Sequence, residues 1–283
     1  MMQERKCDMK SRTVADKVRY QRMNTEEMRE SYLLELFTPG ELDFVYTDVD
    51  RAIVGSAVPM GKALELSTAK ELASDYFAER REIGVVNIGR PGSVTVDGKV
   101  YAMGNLDGLY IGRGSKTIAF NSDDAKNPAR FYILSYPAHT AYPTTHIQLK
   151  DAVHTKLGSM EESNARTIHK YILPGKVQSC QLVMGVTQLE TGSVWNTMSA
   201  HTHERRTEVY CYFDIAANDV VFHFMGMPDE TRHIVIRDGQ AVISPSWSIH
   251  AGCGTRKYSF IWGMGGENQA FDDMDGVAMD VIQ

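Results

Sequence analysis

A chain of 283 residues with 43% hydrophobic composition is globular and long enough for one large core or two modest ones. Its formal net charge of −6 argues against nucleic acid or an anionic membrane as the main partner, and no window approaches the roughly eighteen uninterrupted apolar residues of a transmembrane helix. The charged opening stretch shows no apolar run of a secretory signal, and Cys7, Cys180, Cys211 and Cys253 form no CxxC pair; both features suggest a cytoplasmic protein with reduced thiols. A catalytic thiol at Cys211 or Cys253 is the alternative, but both lie in strand-like runs where cysteine usually serves as a small buried hydrophobe.

In chain order, residues 1–23 are a charged arm or tail with little pattern. Asn24-Thr-Glu-Glu27 is a capping-box sequence, and apolar spacing predicts a helix from Met28 to Phe37, ended by Pro39-Gly40. From Leu42 the texture is β. Ile83-Gly-Val-Val-Asn-Ile88 is a buried-strand run, and Ser93-Val-Thr-Val-Asp-Gly98 alternates and ends in a hairpin turn signal. Many short strands at regular intervals predict a sandwich or barrel. A stretch from Ser135 to Leu173 is richer in Pro, His, Thr and Asn and reads as a connector. Strands resume at Cys180-Gln-Leu-Val-Met-Gly-Val186 and run to Met264, before an acidic tail from Glu267. The expected organisation is an arm and helix over 1–40, a first barrel over 41–135, a connector over 136–175, and a second barrel with the tail over 176–283.

The chemistry concentrates in His201-Thr-His203-Glu-Arg-Arg-Thr-Glu208 and in His250, which follows Pro245-Ser-Trp-Ser-Ile. Two histidines at i and i+2 on a strand share a face. Glu208 opens the apolar run Val209-Tyr-Cys-Tyr-Phe213, so the polar residues before it read as a turn. Three imidazoles and one carboxylate suit zinc or another first-row divalent ion.

The two halves look duplicated. Asp75-Tyr-Phe77-Ala-Glu-Arg-Arg-Glu82 lies beside the histidine segment, both ending in a glutamate that opens a strand. Asp75 and Phe77 stand where His201 and His203 stand, and Gly112-Arg-Gly-Ser-Lys-Thr117 aligns Thr117 with His250. The first half is then expected to have the same architecture without metal ligands.

HxH-x4-E followed by P-x4-H resembles the two cupin motifs, with Trp247 where cupins usually carry glycine and Gly192 further ahead of the histidines than usual. The chain resembles a mainly β bicupin: two antiparallel, jelly-roll-type β-barrels with a few short helices. A closer resemblance lies in Asn196-Thr-Met-Ser-Ala-His-Thr-His-Glu-Arg-Arg-Thr-Glu-Val-Tyr210, Glu230-Thr-Arg-His-Ile-Val235, Ile243-Ser-Pro-Ser-Trp-Ser-Ile-His250 and Phe260-Ile-Trp-Gly-Met-Gly-Gly-Glu-Asn-Gln269. With Phe77-Ala-Glu-Arg-Arg-Glu82, Asn87-Ile-Gly89 and Pro137-Ala-His-Thr140, these are similar to the 5-dehydro-4-deoxy-D-glucuronate isomerase family, also called the 4-deoxy-L-threo-5-hexosulose-uronate ketol-isomerases. The resemblance spans nearly the whole chain and is weakest over the first thirty residues. It implies one zinc ion per subunit on His201, His203, Glu208 and His250. It also implies an aldose–ketose isomerisation of an open-chain keto-uronate to 3-deoxy-D-glycero-2,5-hexodiulosonate in pectin-type breakdown, by a cytoplasmic homohexamer.

Moving a carbonyl to the adjacent carbon needs a proton relay and stabilisation of charge on oxygen. A divalent ion supplies the second, and a general base contributes roughly 10²–10⁴-fold. The sequence does not single out the base. Glu204, Glu267 and His223 are candidates: Glu204 has a plainer reading as a solvated turn residue, His223 and His233 as packed residues, and Glu267, after a glycine pair near the end of the last strand, could reach the cavity mouth; a metal-bound hydroxide stands beside them. The substrate carboxylate calls for arginine, and Arg205, Arg206, Arg232 and Arg166 are candidates. Consecutive Arg205 and Arg206 cannot both face one cavity from a strand. Trp195, Trp247 and Trp262 read as core rather than sugar platforms, and Met198, Met225, Met227 and Met264 as barrel filling. Two other functions stay open on the ligand set: an iron or manganese cupin dioxygenase, and a non-enzymatic sugar-acid-binding cupin. The last would need a DNA-binding partner domain to act as a regulator, and no helix-turn-helix pattern is present.

Overall fold

The structure, a computed structural model, describes residues 9–197 and 199–283; Cys7 and Met198 lie outside the described residues. The chain is mainly β, with two short α-helices, and divides into two compact units. The first comprises residues 9–12, Leu36–Ala152 and Tyr171–Leu182; the second comprises Thr13–Glu35, Val153–Lys170 and Val183–Gln283.

Each unit holds a seven-stranded and a four-stranded sheet. In the first, Ile53–Ala57, Phe131–Pro137, Arg81–Asn87 and Gly108–Ile111 lie side by side in the large sheet. Its small sheet runs Leu64–Glu65, Ile118–Ser122, Gly92–Val96, Lys99–Met103. In the second, the corresponding rows are Val183–Leu189, Ser259–Gly266, Arg206–Phe213 and Gln240–Ser244, then Trp195–Asn196, Ile249–Gly254, Val221–Met227 and Glu230–Ile236. The same pairing order appears twice, so the duplication expected from the glutamate-bearing segments is present in the strand topology.

Local chemistry explains several of these elements. The Asp97-Gly98 turn has φ of 48° and 80° at its two central residues, the left-handed pair that a two-residue hairpin needs. Asn24 caps the helix Thr25–Tyr32, its side chain accepting from the Glu27 N–H while the Glu27 carboxylate accepts from the Asn24 N–H. That helix stops earlier than the apolar spacing predicts. Leu33–Glu35 leaves it as a strand that pairs with Gln240–Ser244, where hydrogen bonding at the sheet edge outweighs the high helix propensity of Leu33, Leu34 and Glu35. The capped helix and this strand therefore join the second unit rather than forming an arm with residues 1–40.

The 136–175 stretch also differs from the expected connector. Thr145–Ile147 adds an edge strand to the first unit, and Val153–Leu157 pairs with Arg166–Ile172 in the large sheet of the second. Four of the five residues of Val153–Leu157 are exposed, so the strand carries no apolar alternation for a sequence reading to detect. The charged arm likewise contains order: Met9–Arg12 pairs in parallel with Leu42–Thr47.

Register corrects one detail of the repeat. Counting back from the two-residue hairpins, Val94 faces Phe120 as Met225 faces His250. The counterpart of His250 is therefore Phe120, not Thr117. The loop before Ile118 spans residues 112–117, two longer than the 245–248 loop before Ile249, and Phe120 is the third residue of its strand where His250 is the second; together these hide the match in a gapless alignment. Thr117 instead ties the loop down, with its N–H and hydroxyl both donating to the Asp97 carboxylate. Phe77 and Phe120, in the places of His203 and His250, are buried in the apolar core of the first unit, against Phe44 and Phe131 respectively. Asp75 is exposed. Glu82 keeps its carboxylate but spends it on backbone, accepting from the N–H groups of Cys180, Gln181 and Leu182 at 2.6–2.9 Å and from the Tyr110 hydroxyl at 2.8 Å.

Candidate metal centre

His201 and His203 are held by a short strand and the turn after it. His201–Thr202 pairs with Asp275–Gly276, and Glu204-Arg205 form the turn that starts the strand Arg206–Phe213. The next inward position of that strand is Glu208, and His250 arrives on Ile249–Gly254. The four side chains are buried, at 8%, 2%, 5% and 1% exposure for His201, His203, Glu208 and His250. Glu208 Oε2 lies 3.1 Å from His203 Nε2 and 2.9 Å from His250 Nε2, and His250 Nε2 lies 3.0 Å from His201 Nε2. One ligand atom from each falls within 4.8 Å of all the others, the only such group of His, Cys, Asp or Glu among the described residues.

The tautomers explain what this cluster is built for. His203 Nδ1 is 3.2 Å from the Arg206 carbonyl, His250 Nδ1 is 3.4 Å from the Ser248 carbonyl, and His201 bonds the backbone of Ser199. An imidazole that donates Nδ1–H outward turns a bare Nε2 lone pair inward. Burial, and then the neighbouring His250, push the His201 pKa down to about 3, so that ring stays neutral. Burial works against the charge of Glu208, yet the neighbouring His250 and His203 outweigh it and hold the carboxyl well below the usual carboxylate range. Nitrogen lone pairs packed against an ionised oxygen repel one another unless a cation sits between them. The donor set therefore fits a divalent ion, with N and O ligands suited to zinc and its first-row neighbours.

Beside the cluster is a cavity of about 420 Å³, within the range of small-molecule sites. Its apolar wall includes Ile168, Phe260, Trp262, Met264 and Phe271; its polar wall includes Arg166, Thr187, Asn196, Ser199 and Tyr210. Tyr210 follows Glu208 by two residues and so shares its face; burial, then the Glu208 charge, keep its phenol protonated. That i+2 rule was available in the sequence and identifies Tyr210. Thr187 and Asn196 carry no comparable signal, because they reach the wall from strands whose register only pairing defines.

Among the four arginine candidates, only Arg166 lines this cavity. It is 8% exposed, donates to the Asn164 carbonyl at 2.9 Å, and leaves a buried Nε without a partner. No acidic group lies within ion-pair distance of it among the described residues, and burial lowers its pKa. Arg205 instead pairs with Asp273 at 2.7 Å and Asp275 at 3.0 Å. Arg206 is 1% exposed and donates to the carbonyls of Ala270 and Asp273. Both thus clamp the C-terminal tail, whose Phe271, Met274 and Gly276 complete the cavity wall. Arg232 bonds the carbonyls of Gln21 and Met23 and lies over the Tyr20 ring. The candidate bases also fall elsewhere. Glu204 and Glu267 are exposed surface residues, one in the turn and one just past the strand end. His223 is fully buried behind the site, 2.7 Å from the Tyr212 hydroxyl, and burial pushes its pKa down to about 3. His233 is exposed. Cys211 and Cys253 do not line the cavity; Trp262 does, whereas Trp195 packs on Phe224 and Trp247 on Tyr20.

Arg206→Ala should release the tail. Charge-assisted bonds of this kind are worth about 1.5–3 kcal/mol each, so we expect a loss of about 2 kcal/mol or more in urea unfolding. Limited proteolysis should then cut between residues 267 and 283, and an uncut tail in the variant would show that other contacts suffice.

Two copies of one jelly-roll plan, one of them furnished with inward-facing imidazoles, define a double cupin with a candidate metal centre. The chain belongs to the KduI/IolB family, whose model matches residues 35–279. It is 58% identical over 268 residues to a 4-deoxy-L-threo-5-hexosulose-uronate ketol-isomerase of Lachnoclostridium phytofermentans, covering 94% of this chain and 97% of that protein. It is 53% identical to the enzyme of the same name from Halalkalibacterium halodurans, covering 93% and 95%. Among solved structures, an IolB-like protein from Salmonella typhimurium shares the fold at a TM-score of 0.65 and 12% identity, covering 88% of this chain and 97% of that one. Oxalate decarboxylase from Bacillus subtilis, described with Mn(II) centres, shares it at 0.55 and 10%, covering 81% and 71%.

Proposed function

We propose that this protein is a ketol-isomerase acting on 5-dehydro-4-deoxy-D-glucuronate (4-deoxy-L-threo-5-hexosulose uronate) to give 3-deoxy-D-glycero-2,5-hexodiulosonate, with one zinc ion per subunit. The observation that carries this reading is the pairing of the His201, His203, Glu208, His250 cluster with Arg166 in one cavity, backed by the names of relatives more than half identical along the chain. The substrate is a six-carbon chain with the reacting aldehyde at one end and a carboxylate at the other, which matches a cavity with a metal centre and a separate buried cation.

A bound divalent ion supplies Lewis-acid stabilisation of the charge that develops on the carbonyl and hydroxyl oxygens during proton transfer. The residues do the rest. His201, His203, Glu208 and His250 hold the ion. Arg166 fixes the carboxylate through its planar guanidinium, with the unpartnered Nε as one donor. Phe260, Trp262 and Phe271 exclude water from the carbon chain, and the protonated Tyr210 hydroxyl offers a hydrogen-bond donor at the polar wall. A homohexamer in the cytoplasm belongs to this reading; no helix among the described residues is long and apolar enough to cross a membrane.

The test is an assay on the unsaturated-uronate product of a polysaccharide lyase. Conversion should proceed without nicotinamide, flavin or oxygen, stop after chelation, and return with stoichiometric zinc. Activity that survives complete metal removal, or that consumes oxygen, would overturn the reading.

A further inference from the structure

The first unit has a cavity of its own, about 270 Å³, lined by Tyr46, Arg51, Glu71, Phe77, Arg80 and Arg81 among others. Phe77, which occupies the place that His203 takes in the second unit, forms part of this cavity's wall, while Phe120 and Glu82, at the places of His250 and Glu208, do not line it. Arg81 is the informative residue. It is 6% exposed, and every partner is neutral: Nε donates to Ser135 Oγ at 3.1 Å, and Nη2 donates to the carbonyls of Ser135 at 2.8 Å and Arg51 at 2.6 Å. Among the described residues no carboxylate forms an ion pair with it, and burial pushes its pKa down to about 10. Buried cations are ordinarily paired, because leaving one uncompensated is costly.

The other charges around the cavity do not supply the missing anion. Arg80 donates to the Leu72 and Ala73 carbonyls and meets Glu79 only at 3.8 Å. Arg51 is exposed and its side chain has no hydrogen bond or ion pair among the described residues. Glu71 is exposed at the rim and pairs with none of the three. Three guanidinium groups against one carboxylate leave an excess of positive charge in a concave site.

We infer that this cavity binds a small oxyanion, the carboxylate or phosphate of a metabolite, on Arg51, Arg80 and Arg81. The planar forks of arginine suit both groups, and the volume admits a small anion rather than a long chain. The inference does not depend on the isomerase reading.

The experiment titrates inorganic phosphate and, separately, D-glucuronate into the full-length His203→Ala/Arg166→Ala variant by calorimetry. That background removes a metal ligand and the cation of the second-unit cavity. Saturable binding of at least one probe is expected, and adding Arg51→Ala and Arg80→Ala should weaken it at least tenfold, as loss of charge-assisted bonds implies. Both side chains are exposed, so the thermal melt should stay unchanged; Arg81→Lys, which keeps the charge but not the fork, should also weaken binding. No saturable binding of either probe, or equal affinity with and without Arg51 and Arg80, would overturn the inference. Phosphate and glucuronate affinities then tell which anion chemistry the site prefers.

Discussion

His203→Ala is expected to leave a folded protein that has lost its metal and at least about 10³-fold in kcat/KM. His203 contributes one of three inward nitrogens, 3.1 Å from Glu208, and no histidine outside the cluster lines the cavity to replace it. Lewis-acid stabilisation of a developing oxyanion is worth several kcal/mol, and each 1.4 kcal/mol is a factor of ten in rate. Metal analysis and kinetics on the same preparation check this together. A variant that keeps its activity without metal would remove the centre from the chemistry. A variant that keeps its metal but loses activity would give His203 a different role.

Arg166→Ala should lower kcat/KM by about 10²-fold while metal content stays as in the parent. Two hydrogen bonds from a charged donor to a carboxylate give about 3 kcal/mol by the lower figure for such bonds, which corresponds to that factor. Arg166→Lys should recover part of it, since charge is restored without the bidentate fork. A short hydroxyaldehyde that lacks the carboxylate should be converted slowly by parent and variant alike. Equal losses on both substrates would mean that Arg166 only supports the wall, through its bond to the Asn164 carbonyl. Because the removed side chain is buried, a thermal melt alongside the kinetics separates folding from binding.

The cluster of three histidines and one glutamate was legible because its spacing is local. His201 and His203 are two residues apart, Glu208 opens a strand, and His250 follows a turn; each relation survives in a linear reading. The arginine that lines the cavity was not. Arg205 and Arg206 lie next to the histidines in sequence, yet both point to the tail, where Asp273, Asp275 and the Ala270 carbonyl supply better partners than an apolar cavity could. Arg166 lies 35 residues before His201 and reaches the cavity only because Arg166–Ile172 belongs to the same large sheet as the strand bearing Glu208. The candidate bases lie outside the cavity lining for a related reason: Glu204 is beside the histidines in sequence, but it is exposed in a turn.

Sequence alone determined the β character, the duplication, the family likeness and the four converging side chains, because hydrophobic alternation, turn residues and ligand spacing are written within a few residues of one another. Tertiary structure decided which unit the first helix and the 136–175 strands join, that Phe120 rather than Thr117 answers to His250, and that Arg166 is the one of the four candidate arginines that lines the cavity. Those outcomes depend on pairing between strands far apart in the chain, where hydrogen-bond register and desolvation act on neighbours that no local pattern records.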